Sequence, residues 1–238
     1  MMTEYKLFSN KLISYFEKYE IDYNEKIIKD FYNLTENLLE ENKKYNLTAI
    51  TDIDGIIIKH YIDSITILKY FDIPENSKII DVGTGAGFPA LPISIMREDL
   101  KITFLDSSNK KINFIKNITK DKNFDFYCGR AEDFGNNLQI RETYDFAVSR
   151  AVAKLNILCE LMSPFVRPGG FIIAYKSKNI KDEISESSNA FKTLELEIYD
   201  MKEFDLDNNI RALIKIKKIK KTTPKYPRNF ANITKNPL

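Results

Sequence analysis

The stretch DVGTGAGF, residues 81–88, decides how the rest of the chain is read. An apolar run over 78–82 leads into it and a helical pattern over about 87–97 leads out, so it reads as a strand, a tight turn and a helix. Gly83, Gly85 and Gly87 follow G-x-G-x-G, with Thr84 between the first two. Glycines in that position permit a sharp turn and close approach of the backbone to a ligand. In an open parallel sheet, ligands bind beyond the carboxyl ends of the strands, which is where this loop would lie. The dinucleotide fingerprint needs another glycine where Phe88 stands, which disfavours NAD and FAD. A Walker loop needs Lys and then Ser or Thr, and neither follows Gly87.

Outward from the loop, 101–105, 123–128, 144–148 and 169–175 read as further strands. Helices are expected between them at about 108–120, 131–138 and 153–165, and another near 179–191. Strands alternating with helices imply right-handed crossovers and a parallel sheet covered on both faces. Two later strand-like runs, 194–204 and 209–219, would complete a seven-stranded, mostly parallel, doubly wound α/β sheet. Upstream the texture is helical: 3–20, 24–45 and about Asp54 to Phe71 carry apolar residues at helical spacing. The expected organisation is an N-terminal helical extension (1–73), an α/β core (74–221) and a basic, irregular tail (222–238).

Composition narrows the function. One histidine, His60, rules out a histidine metal cluster, and Cys128 and Cys159 are far apart among apolar neighbours, which suits small buried thiols in a reduced compartment. No metal is expected. No run is long enough for a signal peptide or a membrane span, so a soluble, cytoplasmic protein is expected. The net charge of +2 conceals nine Lys or Arg and no Asp or Glu in 211–238, leaving the remainder near −7. A basic tail is the footprint of an anionic partner, nucleic acid above all. With 29 lysines against seven arginines, the arginines are the more informative cations.

Several residues are candidates for the site. Asp106 lies 19 positions beyond Gly87 at the end of the second strand, where a carboxylate can accept both hydroxyls of a ribose. With the loop it points to a nucleoside ligand, and S-adenosylmethionine, having no phosphates, suits a loop lacking anion-binding residues. Asp81 is either a strand-end cap or a partner for the cofactor's ammonium. GRAED (129–133) follows the third strand, where adenine would be held, although Glu132 could simply cap a helix. SRAV (149–152) follows the fourth strand, where a methyl group and its acceptor should meet, which singles out Arg150. The amine-methylating Pro-Pro-aromatic motif and the cysteine of pyrimidine C5 enzymes are both missing there. A ring nitrogen such as guanine N7 has a lone pair and no proton to lose, so no catalytic base is expected.

NLTAI (46–50), KHYIDS (59–64), DVGTGAGFPA (81–90), GRAED, SRAVA (149–153), AYK (174–176), YPR (226–228) and the final KNPL together resemble the bacterial small-subunit ribosomal RNA guanine-N7 methyltransferases, the glucose-inhibited division protein B family. The resemblance implies a class I S-adenosylmethionine-dependent methyltransferase fold. It also implies a guanine of 16S rRNA as substrate, guanine 527 of the decoding-site loop, in naked RNA or in the small ribosomal subunit. It places the cofactor against Gly83, Phe88, Ala131, Glu132 and Arg150. RNA would meet Arg130, Arg150, Lys176 and Arg211, together with the tail cations Lys225 and Arg228. The sequence departs from the family pattern at Ala90, where glycine is usual, and at NFANI after YPR. His60 and Asp63, i and i+3 on one helix face, are read as structural rather than catalytic.

Overall fold

The computed structural model describes residues 2–178 and 180–238. All seven expected strands form and join one sheet: β1 (Lys78–Val82), β2 (Lys101–Asp106), β3 (Asp125–Cys128), β4 (Tyr144–Arg150), β5 (Val166–Ser177), β6 (Leu196–Leu206) and β7 (Asn209–Lys218). Their order is β3-β2-β1-β4-β5-β7-β6. The first five pair in parallel, and β7 runs antiparallel to both β5 and β6. Strand order reverses between β1 and β4, so the crevice beyond their carboxyl ends is the natural ligand position of such a sheet. β1 is buried from Ile79 to Val82 because helices cover both faces, which is why it reads as a continuous rather than alternating apolar run.

One face is covered by α1 (Met2–Lys18), α2 (Glu25–Tyr45), α5 (Ala90–Met96) and α6 (Asn109–Ile118). Asn24 caps α2 by accepting from Ile27 N, and Asn46 ends it in the left-handed conformation that Asn tolerates. Leu12, Phe16, Phe31 and Leu38 from these N-terminal helices share a single apolar cluster with Ile79 and Phe104 of the sheet. Each such side chain contributes roughly 1.5–3 kcal/mol by burial, so the helical extension is built into the core. The other face, with Ile80, Ala147 and Ile172, packs against α8 (Leu155–Met162) and its neighbours.

Three expectations need correction. The helix expected over Asp54 to Phe71 is continuous but contains a π-helical segment, Ile56–Ile62, between α3 (Ile53–Gly55) and α4 (Asp63–Tyr70). The helix near 179–191 is two short helices, α9 (Ile180–Glu186) and α10 (Ser188–Thr193), with position 179 outside the described residues. Buried Ser187 marks the break, its hydroxyl donating to Glu183 O at 2.6 Å. The tail is irregular only in part: well beyond α7 (Ala131–Phe134), residues 222–229 have no regular structure, but α11 (Phe230–Lys235), capped by Asn229, follows, and Tyr226 and Ile233 are buried. Of the two thiols, Cys159 is buried but Cys128 is exposed at the sheet's β3 edge.

Candidate active site

A cavity of about 500 Å³ opens beyond β1, β2 and β4, lined by the glycine loop, Asp106, the GRAED segment and the residues after β4. Gly83 N and Thr84 N both donate to Leu105 O, which folds the loop over the end of β2. Asp106, only 8 % exposed, accepts from Gly85 N at 2.9 Å through Oδ2 and from Ser108 N at 2.8 Å through Oδ1. Its carboxylate therefore shapes the loop as well as facing the cavity. Gly83, at φ +73°, holds a backbone conformation that side chains rarely adopt, and a Cβ there would lie 2.6 Å from Val152 Cγ2 and force that side chain to shift. At Gly85, also with positive φ, a Cβ would meet nothing within 4 Å, so open space lies directly above the backbone.

Asp81 lies behind this loop, fully buried, and is absent from the cavity lining. Its Oδ2 accepts from Thr84 Oγ1 at 2.6 Å and from Ala90 N at 3.2 Å. Ala90 thus opens α5 without strain where a glycine is usual. Asp81 Oδ1 has no hydrogen-bond partner, and burial raises the carboxyl to about 7, a rise that the two bonds to Oδ2 only partly offset. The open cradle over Gly85 beside Asp106 fits a nucleoside cofactor, whereas Asp81, sealed behind the loop, does not face the cavity and its carboxylate braces the loop through Thr84 and Ala90 instead of meeting the cofactor's ammonium.

The far wall of the cavity comes from the π-helical segment and the end of β4. Arg150 Nη1 donates to Lys59 O at 2.7 Å and to Asp63 Oδ2 at 2.9 Å, while Nη2 lies 3.4 Å from His60 Nδ1. With Nδ1 turned to a guanidinium, the His60 proton belongs on Nε2, which meets Thr48 Oγ1 at 2.8 Å. The imidazole stacks on Phe88 at 4.3 Å between ring centroids and 5° between planes, and Arg150 lies 5.5 Å above the same ring. Burial first, then Arg150 and Lys59, push the His60 pKa down to about 3, so it stands neutral and very weakly basic. Phe88, in place of a dinucleotide-binding glycine, is the platform on which this wall is assembled.

Behind that wall is a second cavity of about 500 Å³ that shares His60, Arg150, Ala151 and Val152 with the first. Ala151 has φ +57°, which turns the chain sharply between the two spaces. Arg211 Nε approaches Asp63 Oδ1 at 3.5 Å, and Lys176 Nζ donates to Ala153 O at 2.7 Å and Glu183 Oε2 at 2.6 Å. The structure thus brings Arg150, Lys176 and Arg211 together around the second cavity. Arg130 is exposed on the rim of the first, its guanidinium 5.5 Å from the Phe230 ring centroid. Ala131 and Glu132, at the start of α7, line the first cavity.

The tail cations behave differently from a free basic arm. Lys218 is fully buried, donating to Glu142 Oε1, Ser163 O and Val166 O, and burial pulls its pKa down to about 8. Lys215 is buried among aromatic rings, 4.4 Å from the Phe171 centroid. Arg228 grips the carboxylate of Glu160, itself fully buried, through its backbone N, Nε and Nη2. Arg228 is therefore an anchor for the tail, and only cations such as Lys225 remain exposed. Sequence reasoning missed Thr48, Lys111 and Phe230 as cavity residues and Glu183 as a wall of the second cavity. Each is brought in by tertiary packing: Thr48 stands in the family segment NLTAI and Phe230 in NFANI, but neither segment's own spacing points to the cavity, and Lys111 and Glu183 stand in segments with no signature.

Residues 27–222 match the family described as rRNA small subunit methyltransferase G. A ribosomal RNA small subunit methyltransferase G of Clostridium botulinum (strain Loch Maree / Type A3) is 44 % identical over 236 residues, covering 97 % of this chain and 99 % of its own. One from Thermoanaerobacter sp. (strain X514) is 45 % identical over 206 residues, covering 84 % and 86 %. Among solved structures, geranyl diphosphate C-methyltransferase of Streptomyces coelicolor with S-adenosyl-L-homocysteine has a TM-score of 0.52 at 9 % identity, covering 66 % of this chain and 79 % of that one. The cyclase SpnF has a TM-score of 0.55 at 11 % identity over 80 % and 94 %. Such distant likenesses establish the class I methyltransferase fold and nothing about chemistry, as the cyclase shows.

Proposed function

The chain belongs to the rRNA small subunit methyltransferase G family, and we propose that it transfers the methyl group of S-adenosylmethionine to N7 of a guanine in the decoding-site loop of 16S rRNA. The observation that carries this reading is the pair of cavities meeting at Arg150, one bordered by the glycine loop and the other by cationic side chains. The cofactor would be held by Gly83, Thr84, Gly85, Gly87 and Phe88, with Asp106 at its ribose and Ala131 and Glu132 beside its adenine. When bound, it supplies a methyl group on a positively charged sulfur.

This chain's own residues then have only to bind and align. Arg150, tied to Lys59 O and Asp63, presents a rigid guanidinium at the junction of the two spaces. It can orient the base and hold the line of transfer, which is where most of the acceleration must arise in a displacement without proton transfer. His60, held down to about 3, is too weak a base to accept a proton at neutral pH, and a guanine N7 has none to give. Lys176 and Arg211 would meet phosphates or base oxygens of the RNA, with Arg130 and Lys225 at the periphery.

The test is mass-spectrometric mapping of 16S rRNA, naked and in small subunits, after incubation with the protein and isotopically labelled S-adenosylmethionine. One labelled N7-methylguanine in the decoding-site loop is expected. Label confined to another base, another ring position or a small molecule would overturn the reading.

A further inference from the structure

The second cavity holds two carboxylates among its cations, and they are not equivalent. Both oxygens of Asp63 face arginines, Oδ2 toward Arg150 and Oδ1 toward Arg211. Glu183 is engaged at one oxygen only: Oε2 accepts from Lys176 Nζ at 2.6 Å and from Leu155 N at 3.0 Å, the start of α8. No described residue donates to Oε1. The side chain is 28 % exposed and borders the second cavity but not the first. An oriented carboxylate with one free oxygen, in a cavity whose other carboxylate, Asp63, is engaged by arginines at both oxygens, is an acceptor awaiting a donor from outside.

Guanine offers such donors on one edge only. N7 and O6 lie side by side and accept, whereas N1–H and the 2-amino group donate from the opposite side of the ring. A base whose N7 points to the shared wall at Arg150 puts O6 beside the cations there and turns its N1 and N2 edge away from that wall, toward lining that the first cavity does not share, Glu183 included. Resting on the function proposed above, we propose that Glu183 is the residue that selects guanine, its Oε1 accepting from the N1–H and 2-amino edge. Lys176 and Leu155 N are positioning groups that hold the carboxylate in place. Adenine, with an acceptor at N1, would set lone pair against lone pair there.

The experiment uses the full chain, saturating S-adenosylmethionine and 16S rRNA fragments carrying guanine or inosine at the target position; inosine keeps N7, O6 and N1–H but lacks the 2-amino group. Wild-type protein should prefer guanine by about 10–100-fold in kcat/KM, the range for a hydrogen bond to a charged acceptor. In Glu183→Gln the amide oxygen is claimed by Lys176 and Leu155 N, so its NH2 faces the base donors, and the guanine-to-inosine ratio should fall to one or below. Cofactor affinity, read by calorimetry, should not change. A wild-type ratio near one, or a ratio unaltered in Glu183→Gln, overturns the assignment, and the wild-type arm needs no variant to fold. Failure of wild-type protein to methylate guanine in both the fragment and small subunits reconstituted with the same RNA would instead sink the function on which the assignment rests.

Discussion

The two sides of the proposed active site are built from different materials. On the glycine-loop side the walls are mostly backbone: Gly83 N and Thr84 N on Leu105 O, Gly85 N and Ser108 N on Asp106. On the other side they are charged side chains from four separate parts of the chain, Asp63, Arg150, Lys176 with Glu183, and Arg211. A small, invariant ligand can be held by a cradle formed within one strand-turn-helix unit and the end of its neighbour. A base within a large RNA needs groups that reach in from several directions. The difference predicts that mutations on the first side act on cofactor affinity and those on the second on transfer.

The largest expected effect is at the junction. Arg150→Ala should lower turnover at saturating RNA and cofactor by about 10²–10³-fold through lost positioning. It also leaves Asp63 buried without its main partner, which costs about 3–5 kcal/mol of stability when a buried pair loses one member. Pairing Arg150→Met with Asp63→Leu should recover much of the melting temperature without recovering turnover. If the double variant regains activity along with stability, Arg150 is structural and the division between the two sides fails.

Next comes Asp106→Ala, on the cradle side. Calorimetry should show S-adenosylmethionine affinity weakened by about 1–3 kcal/mol, the scale of charged hydrogen bonds, with turnover at saturating cofactor changed far less. An unchanged affinity, or a loss expressed only in turnover, would blur the contrast with Arg150.

That contrast also governs how much of the site is legible in the sequence. Asp81, the three glycines, Phe88 and Asp106 stand in consecutive strand-end positions, so local spacing alone locates the cradle. Arg150 can be placed after β4 by the same logic. Its partners cannot: His60 and Asp63 read as a structural pair on a plain helix, and nothing in KHYIDS signals the π-helical segment that carries Lys59 and His60 to Arg150. Charge counting misreads the tail because it takes no account of burial. Lys218 and Arg228 are cations in sequence but internal ties in the fold, each matched to a carboxylate far away along the chain, Glu142 and Glu160.

A smaller effect sharpens the reading of His60. The folded imidazole stays neutral down to about 3, while the unfolded one protonates near 6.5. The unfolded state therefore takes up the extra proton as pH falls, and stability present at neutral pH is lost below about 6.5. Asp81 works in the opposite sense, since its carboxyl, raised to about 7, holds a proton in the folded state that the unfolded state has released. The readout is accordingly the difference between His60→Gln and wild type: between pH 6.5 and 5.5 wild type should lose about 1 kcal/mol more than the variant. Parallel stability curves would show that His60 is not held neutral by its surroundings.

In the mechanism proposed above, the chain aligns a nucleophilic ring nitrogen and removes no proton. Single-turnover methyl transfer to two matched 16S rRNA fragments, one with guanine and one with 7-deazaguanine at the target, isolates that step when binding of each fragment is measured alongside. Both fragments should bind with similar affinity, and only the guanine fragment should take up the methyl group. Transfer to the 7-deazaguanine fragment at a comparable rate would contradict the mechanism, because the accepting atom would then lie elsewhere on the base.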